Sequence, residues 1–138
     1  MEITKKYLDH LSNEVIKCAI KVHLTLGPGL LESIYEKCMM IELEKRGIKA
    51  RRQVNANILY EGHEIETELR LDILVEDILS VELKSKEAIP PVDVAILLSY
   101  MEMLKSPKGV MINFHCTNIK NKEQKTYVNK YYSELKDG

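Results

Sequence analysis

Between residues 54 and 83 the apolar side chains fall on alternate positions, whereas on either side they recur every third or fourth residue. A period of two belongs to strands buried on one face, and a period near 3.6 belongs to helices. The switch therefore confines the chain to a mixed α/β layer architecture. In the middle third, Val54, Ala56, Ile58 and Tyr60 alternate with Asn55, Asn57 and Leu59. Leu69, Leu71, Ile73 and Val75 form a second run, and Leu79, Val81 and Leu83 a third. These predict three strands of an antiparallel meander, with Ile65 extending a hairpin that turns at Glu61-Gly62.

The first third predicts two helices. Tyr7, Leu11, Val15, Cys18 and Val22 make one apolar stripe, and Gly27-Pro28-Gly29 interrupts it. Leu31, Ile34, Cys38 and Ile41 make the stripe of a second helix. Lys45 and Arg46 suit its last turn, and Gly47 its stop. After Pro90-Pro91, residues 92–104 read as an apolar helix, and residues 110–114 as a buried strand. The polar tail from Asn118 to Leu135 spaces Tyr127, Val128, Tyr131, Tyr132 and Leu135 as a short helix on the core would.

At 138 residues the chain has the size of one domain, expected over residues 1–138. It is 45% hydrophobic and 30% charged, a balance that excludes a disordered chain and a membrane protein. No apolar stretch follows the lysines of the N-terminus, so no secretory signal is expected. Three scattered cysteines, Cys18, Cys38 and Cys116, read as reduced thiols in the cytoplasm. The four histidines do not cluster, and no His-x-x-x-His or Cys-x-x-Cys pair suggests zinc.

The chemistry concentrates on Asp72 and Glu82-Leu83-Lys84. Residues two apart in a strand share a face, so Glu82 and Lys84 point together while Leu83 enters the core. With Asp72 in the preceding strand, these residues compose a divalent-metal site, since Mg²⁺ takes one or two carboxylates and completes its shell with water and phosphate. The geometry carries a condition. A two-residue turn at Glu76-Asp77 would pair Asp72 with Val81 and turn it away from Glu82. A shared face demands a three-residue loop, Glu76-Asp77-Ile78, or a bulge. Glu32 falls in the first turn of the second helix, where the dipole stabilises a carboxylate, and Tyr35 shares its face.

Gly29-x-x-Glu32-x-x-Tyr35 resembles the signature for which the GxxExxY protein family is named. His23, Leu26-Gly27-Pro28-Gly29, Gln53, Tyr60, Arg70 with Asp72, Glu82-Leu83-Lys84 and Ile112-Asn113-Phe114 extend the likeness over roughly residues 10 to 115. That family is similar to the PD-(D/E)XK nuclease superfamily. The resemblance implies a PD-(D/E)XK nuclease-like core: an antiparallel β-meander plus a further strand, flanked by helices. It implies Mg²⁺ or Mn²⁺ held by Asp72, Glu82 and the Leu83 carbonyl, with Glu32 completing the metal site or holding one of its waters. Lys84 would position the nucleophilic water. Gln53 and Tyr35 would face the substrate or support the metal ligands. His23 and Tyr100 are weaker candidates of the same kind. Relatives carry a glutamine four residues before the tyrosine that matches Tyr100, and here that position is Ile96.

The net charge is −1, from 20 basic and 21 acidic residues, with no basic surplus of the kind nucleic-acid binders show. Seven acids lie between Glu61 and Asp77, against Arg70 alone among Lys and Arg. Bases gather at Lys45, Arg46, Lys49, Arg51 and Arg52, at Lys84 and Lys86, and at Lys120, Lys122, Lys125 and Lys130. The expected function is a metal-dependent nuclease that hydrolyses phosphodiester bonds, on DNA ahead of RNA. The alternatives are a catalytically silent nucleic-acid-binding or protein-interaction module of the same fold, and an accessory domain that self-associates. A chain this short holds a catalytic core and little else, so target choice is expected from a second copy or a partner protein.

Overall fold

The computed structural model describes residues 2–119 and 123–138. The basic positions Lys120 and Lys122 lie outside the described residues. Helix α1 spans Lys5–Leu26, and its N-cap Thr4 accepts a hydrogen bond from Tyr7 N at 3.1 Å. It buries Leu11, Val15, Cys18 and Val22 of the stripe its sequence predicts, with Leu8 fully buried in place of Tyr7, which is half-buried. It stops at Gly27, whose φ of 70° places it in the left-handed region that glycine adopts without strain.

Helix α2 spans Glu32–Lys45 and turns a different face inward from the one its sequence suggests. Tyr35, Met39 and Leu43 are buried, whereas Leu31 is 72% exposed, Ile34 39% and Ile41 53%. Apolar residues lie on both sides of this helix, so periodicity alone does not choose between them. Packing does. Tyr35 stacks on Phe114, with ring centroids 4.2 Å apart, and buries the larger side chain.

Strands follow at Ala50–Asn55 (β1), Ile58–Tyr60 (β2), His63–Ile65 (β3), Arg70–Val75 (β4) and Leu79–Lys84 (β5). Helix α3 covers Pro91–Met103, and then come β6 (Lys108–Asn113), β7 (Gln124–Val128) and α4 (Lys130–Ser133). The main sheet has the order β1-β4-β5-β6-β7. All its neighbours are antiparallel except β5 and β6, which run parallel and are joined through α3. Helices α1 and α2 pack with Ile73, Val75, Val81, Leu83, Val110 and Ile112. The second core joins Leu97, Tyr100 and Met101 of α3 to Leu74 and Met111 of the sheet. This is the mixed α/β architecture expected, a mostly antiparallel sheet flanked by helices.

Two elements differ from expectation. The run from Val54 to Tyr60 is two strands, because Asn55 Nδ2 donates to Thr67 O and Thr67 Oγ1 donates to Ala56 O, both at 2.8 Å. These side chains take backbone partners and end the ladder before β2 and β3 form their own hairpin. The expected tail helix is the strand β7 followed by the short α4. Strand β6 is buried along its length, and β7 satisfies an edge that would otherwise lack hydrogen-bond partners. Among the described residues no helix is long and apolar enough to cross a membrane.

Candidate metal centre

The pairs Ile73↔Val81, Leu74↔Ser80 and Val75↔Leu79 leave Glu76-Asp77-Ile78 as the loop between β4 and β5. This is the three-residue connection that a shared face for Asp72 and Glu82 requires. Glu76 and Asp77 take φ values of 50° and 60° to close it. Ile78 N donates to Val75 O at 3.0 Å, and Glu76 N to Lys49 O at 2.9 Å.

Past Ile73 the two strands are linked through the two carboxylates. Asp72 N donates to Glu82 Oε1 at 2.9 Å, and Leu83 N donates to Asp72 Oδ2 at 2.8 Å. Each acid thus caps a backbone amide of the opposite strand. The N–H and C=O of a strand residue leave on the same side, so the Leu83 carbonyl faces this gap too. The next carbonyl, of Lys84, faces the other way and accepts from Phe114 N at 2.8 Å.

Burial pushes the Asp72 carboxyl above its ordinary range, and Glu36 and Glu32 add to this, against the Leu83 amide and Lys84. Burial also raises Glu82, with Asp72 as its strongest charged neighbour. Lys84 Nζ lies 3.7 Å from Glu82 Oε2 and 3.9 Å from Asp93 Oδ2. Lys86 Nζ meets the same Asp93 oxygen at 2.6 Å. One shared lysine is too little cation for a buried and a half-buried acid with further carboxylates nearby. The oxygens not engaged with backbone, Asp72 Oδ1 and Glu82 Oε2, are hard donors, and such a set fits Mg²⁺ or Mn²⁺ better than zinc.

The expected third carboxylate does not close the site. Among the described residues no group of three or more His, Cys, Asp or Glu side chains is disposed to hold a metal ion. Glu32 opens α2 and acts on Asp72 and Glu82 through its charge. Glu36, one turn further, is the acid that α2 buries, at 4% exposure. It accepts from Arg52 Nε at 3.1 Å and from Gln53 Nε2 at 3.0 Å. Gln53 stands opposite Asp72, between the pairs Arg52↔Ile73 and Val54↔Leu71, with a left-handed φ of 53°. It reaches the centre through Glu36.

Tyr35 is fully buried. Its hydroxyl donates to Gly27 O at 2.6 Å and accepts from Leu30 N at 3.2 Å, which ties down the loop leading to Glu32. His23 is also buried, and its Nε2 meets Cys116 O at 2.8 Å. Tyr100 projects from α3 toward the centre. Burial raises its hydroxyl pKa, and Glu82 and Asp72 raise it further. Ile96, one turn before, is partly exposed on α3. Sequence reasoning missed Glu36 and Asp93. The available signals were a second acid four residues after Glu32, on the same helix face, and an acid in the first turn after Pro90-Pro91.

A family model described as the PD-(D/E)XK nuclease superfamily matches residues 9–126. No curated protein and no solved structure matches the chain.

Proposed function

The chain belongs to the PD-(D/E)XK nuclease superfamily, and from that premise we propose that it is a divalent-metal-dependent nuclease that hydrolyses phosphodiester bonds. The observation that carries this reading is the pair of half-buried Asp72 and buried Glu82, linked across the gap between β4 and β5 with Lys84 beside them. Asp72 and Glu82 hold Mg²⁺ or Mn²⁺, with the Leu83 carbonyl as a further ligand. When bound, the cation supplies Lewis-acid activation of the phosphate and of water. Lys84 orients the attacking water and offsets the charge that builds at phosphorus. Glu32, on the helix that faces the gap, holds a water of the site. Glu36 and Gln53 position the β1 side of the gap, and Tyr35 positions the loop before Glu32. The likeness of Gly29-x-x-Glu32-x-x-Tyr35 to the GxxExxY family supports the same assignment.

The substrate is nucleic acid, DNA ahead of RNA, acted on by one domain over residues 1–138. The cysteines Cys18, Cys38 and Cys116 are free, which suits a cytoplasmic location. A second copy or a partner protein supplies target choice. The test is cleavage of single- and double-stranded DNA and RNA with Mg²⁺ or Mn²⁺, beside Asp72→Ala and Lys84→Ala. Cutting by the parent and loss in both variants is expected. No cutting by the parent, or equal cutting by both variants, ends the reading. The second reading is a silent module of the same fold. It is favoured by Ile96 where relatives carry glutamine, and by a ligand set of two carboxylates instead of three.

A further inference from the structure

A cavity of about 190 Å³ lies beside the carboxylate pair, between the loop after β5, the start of α3 and the strands β6 and β7. Its floor includes Met111 and Asn113 of β6, the register partners of Glu82 and Lys84 on β5. Neighbouring strands lie about 4.8 Å apart, and register partners share a face. The cavity is therefore one strand spacing from Glu82, on the same face of the sheet. Lys125, the register partner of Met111, stands one strand further on.

The lining has three characters. Met111, Ile89, Val94 and the ring of Tyr127 offer apolar and aromatic contact, Glu87 and Glu123 bring carboxylates to the rim, and Lys125 brings an ammonium that can meet a base carbonyl such as cytosine O2. The walls are held in place. Asn113 Nδ2 donates to Lys86 O at 2.8 Å, and its Oδ1 accepts from Lys86 N at 3.3 Å, which fixes the chain next to Glu87. Asn113 N donates to Glu123 O at 2.8 Å, which fixes the other acid. The volume is below the about 300–1,000 Å³ of sites for drug-sized ligands, so it suits one planar ring system.

We propose that this cavity is a subsite for one unpaired nucleobase that carries an exocyclic amino group, so that the substrate is single-stranded or locally opened nucleic acid. The proposal rests on the nuclease reading for what lies at the neighbouring carboxylates. A flat base finds faces to stack and pack on in Tyr127 and Met111. The two carboxylates accept hydrogen bonds and donate none, so they favour the amino groups of cytosine, adenine or guanine over thymine or uracil, whose single N3–H is flanked by two carbonyl oxygens that a carboxylate pair repels. A base inside a duplex has its hydrogen-bonding edge paired and its faces stacked, and reaches such a pocket only when extruded.

The test uses nucleosides, which have neither phosphate nor need of metal. The full chain, labelled with ¹⁵N and at methionine methyls, is titrated with deoxycytidine and with thymidine in the absence of divalent ions. Deoxycytidine is expected to shift Met111 and Tyr127 and to bind at least about tenfold more tightly than thymidine. The double variant Glu87→Gln with Glu123→Gln keeps the side-chain sizes and adds donors. It is expected to bring the two affinities within about threefold of each other. No binding by either nucleoside, equal binding by the parent, or an undiminished preference in the double variant overturns the proposal. Nucleoside discrimination without Mg²⁺-dependent cleavage would remove the nuclease reading and leave the pocket. Cleavage without discrimination would do the reverse.

Discussion

Asp72 and Glu82 each hold a backbone amide of the opposite strand while standing next to each other's charge. Their raised pKa values have a consequence for stability. A carboxyl whose pKa is higher folded than unfolded binds its proton more tightly in the folded state, so its contribution is greatest at low pH and falls as pH rises. The metal-free protein is therefore expected to lose stability from about pH 4, the ordinary carboxylate range, upward through neutrality. Glu82→Gln keeps an acceptor for Asp72 N and removes one charge. Urea denaturation at about pH 8 without metal should find this variant more stable than the parent, by about 1 kcal/mol or more, while its cleavage falls at least about 100-fold. A variant less stable than the parent under those conditions would mean that the pair is not strained by burial. Glu82 and Asp72 were visible in the sequence as acids on adjacent strands. Glu36 was not singled out, because its role depends on Arg52 and Gln53 of β1, 16 and 17 residues away along the chain.

The β4–β5 loop determines whether those acids meet. Removing one residue from it would shift the pairing by one and exchange the two faces of a strand. Deleting Asp77 is expected to abolish cleavage and to destabilise the fold, since Ile73 and Val75 or Val81 and Leu83 would turn away from α1 and α2. Asp77→Gly keeps the loop length and relieves a left-handed residue, so it should keep both activity and the cooperative melt. Circular-dichroism melts and the cleavage assay on the two variants separate loop length from loop chemistry. The need for an odd loop was readable from sequence, because parity along a strand is a local property. The buried face of α2 was not, because both of its faces are apolar and Phe114, which Tyr35 stacks on, lies 79 residues away in the chain.

Across the molecule, a net charge of −1 averages an acidic meander and basic flanks. Much of the basic run is already paired. Arg51 meets Asp77 at 2.7 Å, Arg52 meets Glu36 at 3.1 Å, Arg46 meets Glu14 at 3.6 Å and Lys45 meets Glu42 at 3.7 Å. These pairs leave fewer cations for a phosphate backbone, and the central carboxylates repel it until a divalent ion is present. Fluorescence anisotropy with a labelled oligonucleotide should therefore show weak binding without metal, at least about tenfold tighter binding with Mn²⁺, and a steady loss of affinity as NaCl rises. Affinity that ignores both ions would contradict this account. The amino-acid sequence by itself determined the two opening helices, the β4–β5 hairpin, α3 and the strand after it, the oxygen donors and the loop parity that lets Asp72 face Glu82. All of these are written in neighbouring residues, through the backbone geometry of period two and period 3.6. Only the tertiary structure decided that α2 buries Tyr35, that β7 completes the sheet, that Asp93 shares Lys84 with Glu82, and that a cavity opens beside Met111. Those outcomes depend on which surfaces lose water to which distant partners, and no local pattern carries that information.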